Sequence, residues 1–299
     1  MTSRQTDAFT PETAIEIIAP ERQTTPVVFA SPHSGRLYPA DFLVQSRLDP
    51  LALRASEDAF IDELFSGVVN LGAPQICARF PRVYIDVNRA PLELDPGMFE
   101  DALPERADTT SARVLAGIGT IARVVGKDQA IYKTPLPYSE ARKRLENCYF
   151  PYHRALQNLI EQTQARFGTC LLVDCHSMPS SRHSKIQGTP ENRGHHGEIV
   201  LGDRWGASCD PGITEITERA ILSMGYSVRC NTPYAGGYTT QHYGRPETGV
   251  QAIQIEINRS LYMDERSISR LPVFDSVRER MTRLAESLCS IGMDKIAAQ

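Results

Sequence analysis

Four short apolar segments of this sequence end in, or carry, residues able to do chemistry. SPHSG places His33 just past one of them, and VDCHSMP places Asp174 and His176 at the end of another. RVYIDVNR brings Asp86, Asn88 and Arg89 to a third, and AIQIEIN holds Glu256 among Ile253, Ile255 and Ile257. Two histidines and a carboxylate form a common zinc set, with a fourth position left for water. An ion so held acidifies water or polarises a carbonyl. The third ligand comes from the acid pair Glu57-Asp58. On a helical wheel Glu57 lies nearer the centre of the apolar stripe, which leans toward Glu57 and leaves Asp58 open. Glu256 is costly in its apolar run unless paired, and strand alternation turns it away from its isoleucine neighbours.

Each of these residues also has a plainer reading. A strand-end histidine can be a hydrogen-bonded structural group, Arg89 can form an internal ion pair with Asp86, and His195-His196, in a polar stretch, can simply be solvated. Other chemistries find less support. Cys175 and His176 are strand neighbours and point to opposite faces, which disfavours a dyad. There is no G-x-S-x-G elbow, no H-E-x-x-H, no Walker loop and no G-x-G-x-x-G. The residues by themselves therefore read as a metal-assisted hydrolase.

The elements that must position these groups alternate in type. Strands are expected at Pro26–Ser31, Gln75–Phe80, Arg82–Val87, Thr169–Asp174, Glu198–Leu201, Tyr226–Cys230 and Ala252–Ile257, several with the consecutive apolar residues of strands buried on both faces. A helix should open at Asp49-Pro50 and continue through Ile61, Leu64, Phe65 and Val68. Others are expected over Ser111–Val125, Ser139–Phe167 with Pro151 kinking or dividing it, Pro211–Met224 and Val273–Ile291. This alternation implies an α/β fold, a mixed, mostly parallel sheet covered by helices on both faces, with ligands gathering at the carboxyl ends of the strands. Long loops are expected at Pro91–Arg106 and Met178–Gly197. No internal repeat or linker-like break in composition interrupts the 299 residues, so one domain over 1–299 is expected.

Composition removes several classes. With 32 basic and 36 acidic side chains, a net charge of −4 lacks the basic stripe of a nucleic-acid binder. Seven scattered cysteines without a Cys-x-x-Cys suggest reduced thiols. The polar start shows no leader pattern, and no apolar run is long enough to span a bilayer. A cytoplasmic protein acting on a small molecule, with neither nucleic acid nor membrane as partner, is the expectation.

Six segments in order, SPHSGRLYP, ASEDAFIDELF, RVYIDVNR, VDCHSMP, NTPYAGGYTTQHYGRP and QIEINRSLYMDE, resemble the N-formylglutamate amidohydrolases from about His33 to Glu265. The resemblance implies a three-layer α/β/α sandwich similar to the zinc-dependent exopeptidases and hydrolysis of an N-acyl amino acid. The named activity converts N-formyl-L-glutamate to formate and L-glutamate, and the family name suggests histidine degradation. It further implies one divalent ion, zinc first, held by His33, Asp58 and His176, with Asp58 rather than Glu57 as the acid. Glu256 is then the general base, as in carboxypeptidase-like enzymes. Arg89, assisted by Asn88, resembles a carboxylate clamp, and Thr240, His242 and Arg245 are further candidates for holding substrate. Arg245 is not a fixed feature of the family, which leaves a broader N-acyl amino acid amidohydrolase as an alternative on the same metal site, and a non-catalytic binding protein as another.

Overall fold

The structure is a computed structural model of the chain and describes residues 4–6, 8–126, 129–180 and 198–297. Among these residues, seven strands make one sheet: β1 (Ile15–Ile18), β2 (Val27–Ser31), β3 (Gln75–Ala78), β4 (Cys170–Met178), β5 (Ile199–Gly202), β6 (Val228–Cys230) and β7 (Val250–Asn258). Their order is β6-β5-β7-β4-β2-β3-β1. β2 with β4, β4 with β7 and β5 with β6 run parallel, whereas β5 and β7 run antiparallel. The fold is therefore α/β around a mixed, mostly parallel sheet, as the alternation of apolar runs and amphipathic stretches implies. Every residue of β2 and β4 is buried, and every residue of β7 except Asn258, which is why these strands read as continuous apolar runs. β1, at the edge, leaves Ile17 and Ile18 exposed.

Contacts group the chain into two compact units whose segments interleave, Met1–Ile17, Pro32–Ala59 and Ile76–Asn158 in one, Ile18–Ser31, Phe60–Gln75 and Leu159–Gln299 in the other. In the second unit the helix Pro211–Ser223 is opened by Asp210, whose carboxylate accepts from the Gly212 amide, with Pro211 in the first turn. It packs on β5 and β6. The helix Phe274–Ala297 buries Val277, Met281, Leu284, Ala285 and Leu288, one stripe at helical spacing, and packs on β2 and on the helix Ile61–Leu64. The first unit centres on Arg144, which is fully buried. Its guanidinium lies 4.2 Å from the Tyr84 ring centre, donates to the Tyr84 carbonyl at 3.0 Å and the Tyr132 hydroxyl at 2.7 Å, and meets Glu140 at 3.0 Å. In the sequence this arginine looks like any solvated helix residue.

Three expectations need correction. Arg82–Val87 is a series of turns, not a strand; Tyr84 and Ile85 donate back to the Pro81 carbonyl, and Asp86 donates across to Thr120, so its amides are satisfied without a ladder. The helix expected over Ser111–Val125 is only Ala112–Leu115, because Gly117 adopts φ +74° and ends it. The helix opening at Asp49-Pro50 breaks into Pro50–Leu53, a 3-10 turn Arg54–Ser56, Ile61–Leu64 and a second 3-10 stretch Ser66–Leu71. Between the second and third pieces Glu57 is extended and Phe60 has φ +68°. The expected division near Pro151 takes the form of a π turn, Leu145–Tyr149, joining the helices Tyr138–Arg144 and Phe150–Phe167. There the Phe150 amide reaches back five residues to Leu145, a widened turn that accommodates the proline ring. The expected loop Met178–Gly197 lies outside the described residues from 181 onward, as do His195 and His196. Among the described residues no helix is long and apolar enough to cross a membrane.

Removing one member of a buried charged set leaves the others uncompensated and costs about 3–5 kcal/mol. Arg144→Met should accordingly lower unfolding stability by about 3 kcal/mol in urea titrations, whereas a change within ±0.5 kcal/mol, ordinary for a surface position, would show that the arginine is not a structural centre.

Candidate metal centre

Parallel pairing builds the site row by row. Ala30 of β2 is the Cα partner of Asp174 on β4, and Asp174 in turn is the partner of Gln254 on β7. One step further along, His176 is paired with Glu256. Residues two apart on a strand share a face, so Asp174 and His176 lie on one face with Gln254 and Glu256. His33 follows the end of β2 by two residues. Its carbonyl accepts the Asp58 amide at 3.1 Å, so the break in the helix after Ser56 brings residue 58 back to the strand end.

The side chains continue that convergence. One ligand atom each from His33, Asp58 and His176 lies within 4.8 Å of the other two, and all three residues are buried. His33 Nδ1 is 3.3 Å from Asp58 Oδ2, the spacing of neighbouring donors on a tetrahedral ion with bonds of about 2.0–2.1 Å. Nε2 of His33 meets Asp86 Oδ1 at 2.8 Å, and Nε2 of His176 lies 2.9 Å from Asp174 Oδ2. Metal-binding imidazoles characteristically place a carboxylate behind the nitrogen that does not ligate; His33 has Asp86 hydrogen-bonded there, and His176 has Asp174 close to its Nε2. The donor set, two imidazoles and a carboxylate with backing acids, fits zinc or a similar divalent ion.

Asp86 is the pivot of the first half of the site. Burial alone would raise its pKa, but Arg89, His33 and Arg82 together hold the carboxyl well below the usual range. Arg82 reaches Asp86 Oδ2 at 2.9 Å and Asp58 Oδ1 at 3.8 Å, and Arg89 lies 3.6 Å from Asp86. The Asn88 amide donates to Asp86 at 2.8 Å. Arg89 also donates from Nε to the Ile118 carbonyl and from Nη1 to the Asn88 carbonyl, so two of its donors hold the chain. In the second half, Glu256 is buried and accepts from Gln254 Nε2 at 2.9 Å.

The neighbouring acids Glu57 and Asp58 have separate roles. Glu57 is held by Arg54 at 2.9–3.0 Å and by the Tyr38 hydroxyl at 2.6 Å. Burial pushes its carboxyl up in spite of Arg54. The wheel that leans toward Glu57 presumes one continuous helix, and the chain is not helical there. Thr240 and His242 sit on the helix Tyr238–Tyr243, which packs on β7. Thr240 is buried and donates to the Gly237 carbonyl at 3.0 Å; His242 is exposed and stacks on Tyr238 with ring centres 4.9 Å apart. Arg245 uses Nη1 on the Gln241 and Gly244 carbonyls. Sequence reasoning missed Arg82, the Arg54–Tyr38 cradle of Glu57, and Gln254. The spacings D-x-H and Q-x-E, two residues along a buried strand, were the available signal for Asp174 and Gln254.

A mostly parallel α/β sheet with imidazoles and an aspartate gathered near its strand ends defines a class of protein with a strand-end site suited to a divalent ion. Comparison with known proteins gives the family. The N-formylglutamate amidohydrolase family matches residues 25–263, and the chain belongs to it. It is 28% identical over 288 residues to an N-formylglutamate deformylase of Pseudomonas aeruginosa, spanning 94% of this chain and 99% of that one. An N-formylglutamate deformylase of Pseudomonas putida is 30% identical over 243 residues, 80% of this chain and 82% of the relative. The crystal structure of N-formylglutamate amidohydrolase from Ralstonia eutropha JMP134 has a TM-score of 0.87 at 34% identity, covering 94% of this chain and 99% of that one.

The two adjacent acids can be separated by experiment. Asp58→Asn should abolish stoichiometric zinc binding in equilibrium dialysis with little change in unfolding stability. Glu57→Gln should keep the zinc and lower stability by about 1–3 kcal/mol, since it disturbs a buried charged pair. The reverse pattern would make Glu57 the ligand.

Proposed function

We propose that this protein hydrolyses N-formyl-L-glutamate to formate and L-glutamate, with one divalent ion, zinc first, held by His33, Asp58 and His176. The observation that carries the reading is the approach of those three ligand atoms to within 4.8 Å of one another, in a chain of this family. A bound ion would supply Lewis acidity toward the formyl oxygen and make water a better nucleophile.

The remaining chemistry belongs to side chains. Glu256, cross-strand from His176, takes a proton from the attacking water as its oxygen bonds to the formyl carbon. The carbon–nitrogen bond then breaks, and Glu256 delivers that proton to the leaving nitrogen. The products are a free amine and formic acid, which gives its proton to the amine or to solvent as formate leaves, and the base is restored. Arg89, with Asn88, is the proposed partner for a substrate carboxylate, which a guanidinium can bind with two donors. Thr240 and His242 are proposed hydrogen-bonding groups, and Arg245, with Nη1 alone on main-chain carbonyls, is the proposed partner of the second carboxylate. A soluble, cytoplasmic setting accords with this small-molecule chemistry and is part of the proposal.

Incubation of purified protein with N-formyl-L-glutamate should release formate and glutamate in equal amounts. Treatment with a chelator should stop turnover, and added zinc should restore it at about one ion per chain. Full activity in metal-free protein would overturn the metal-dependent reading, and turnover of N-acetyl amino acids in preference to the formyl compound would favour a broader amidohydrolase. Glu256→Gln keeps the shape of the side chain and removes the base; kcat should fall about 10²- to 10⁴-fold with bound metal unchanged. Arg89→Ala should lower kcat/KM for the carboxylate-bearing substrate far more than for an uncharged formamide, and equal losses on both would remove Arg89 from the binding site.

A further inference from the structure

Behind the paired residues His176 and Glu256 lies a second pair, one step back along the same two strands. Asp174 precedes His176 by two residues and Gln254 precedes Glu256 by two, and Asp174 and Gln254 are themselves Cα partners. All four occupy the same face of the sheet. Asp174 is completely buried and Gln254 is 4% exposed.

Both side chains engage the functional residue ahead of them and little else. Gln254 Nε2 donates to Glu256 Oε1 at 2.9 Å, while its Oε1 has no hydrogen-bond partner among the described residues. Turning the amide over would set oxygen against carboxylate, so this orientation is the favourable one. Asp174 Oδ2 is 2.9 Å from His176 Nε2, yet neither of its oxygens makes an aligned hydrogen bond among the described residues. The pair is within hydrogen-bond distance but not aligned as a hydrogen bond.

We propose that Asp174 and Gln254 are positioning residues, a support row that orients the functional row one step ahead of it on the sheet. Asp174 fixes His176 with Nε2 backed and Nδ1 presented to the metal site. Gln254 holds the Glu256 carboxylate in one rotamer through Oε1. The assignment rests on the reading of His176 as ligand and Glu256 as base.

The test uses full-length Asp174→Leu and Gln254→Met, which keep approximate shape and remove the polar groups, with Asp174→Asn and Gln254→Ala as second variants should either first choice fail to fold. Three quantities are read: the melting temperature of the metal-free protein, the zinc dissociation constant from competition with a chelating dye, and kcat and KM for N-formyl-L-glutamate at saturating zinc. Asp174→Leu should weaken zinc binding about 10- to 100-fold, with the metal-free melting temperature unchanged or raised. Gln254→Met should keep zinc affinity and KM within about twofold and lower kcat about 10- to 100-fold, the effect of a misplaced catalytic group. A merely structural role would instead lower the metal-free melting temperature in step with function, and that outcome overturns the proposal, as do wild-type zinc affinity in the Asp174 variants or wild-type kcat in the Gln254 variants. Wild-type protein that neither binds zinc nor releases formate overturns the functional reading together with this one. A failure confined to the variants overturns the support row alone.

Discussion

The register between β4 and β7 is the constraint on which the rest depends. Nine consecutive residue pairs, from Val250 with Cys170 to Asn258 with Met178, lock the two strands in parallel. A one-residue slip would turn His176 or Glu256 to the opposite face. That slip is resisted by the alternating residues: Val173, Cys175, Ile253, Ile255 and Ile257 are all nearly inaccessible, and exchanging faces would set them where the polar rows now lie. Hydrophobic packing on one face thus fixes polar geometry on the other, and neighbouring parallel strands about 4.8 Å apart deliver an imidazole and a carboxylate to adjacent positions without any loop having to fold around them.

The other half of the centre is built from irregular chain, and electrostatics does the holding there. His33 stands between Asp58 and Asp86, with Arg82 and Arg89 compensating the acids from the outer side. Two carboxylates, Asp58 and Asp86, crowd against a single buried imidazole and repel one another across it. The arginines offset part of the repulsion, and a bound cation would offset more. Burial makes Arg89 less able to carry its proton, while Asp86 opposes that effect, so each member of the cluster conditions the next. Such a cluster is poorly described as a sum of pairs.

Legibility in the sequence followed the same division. β2, β4 and β7 were readable because burial on both faces writes a continuous apolar run, and His33, His176 and Glu256 were readable because they interrupt or end those runs. The edge strand β1 was not, since its side chains are largely exposed and carry no strong period. The turns of Arg82–Val87 imitate a strand, because buried Val83, Ile85 and Val87 alternate while the Tyr84 and Ile85 amides go back to the Pro81 carbonyl and the Asp86 amide to Thr120. The choice between Glu57 and Asp58 could not be made from periodicity, as the helix stops at Ser56, Glu57 is extended and the Asp58 amide goes to the His33 carbonyl, none of which a helical wheel represents. Arg144 was hidden for a related reason: its aromatic cradle is assembled from Phe42, Tyr84 and Tyr132, residues far from it in sequence.

The row behind His176 and Glu256 places polar side chains in the interior of the sheet. Asp174 and Gln254 lie in the middle of a sheet, where burying a polar group without full pairing costs about 1–3 kcal/mol. A fold of this size is stable by only about 5–15 kcal/mol in total, so that cost is a substantial fraction. Apolar residues of similar size would fill the same space and leave the ladder intact, because the pairing of β4 with β7 uses backbone groups alone. The sheet therefore has no architectural need for these side chains. On the proposed reading, they are there to hold an imidazole and a carboxylate in fixed orientations where thermal rotation of either would separate them, and the cost of burying them is the cost of that pre-organisation.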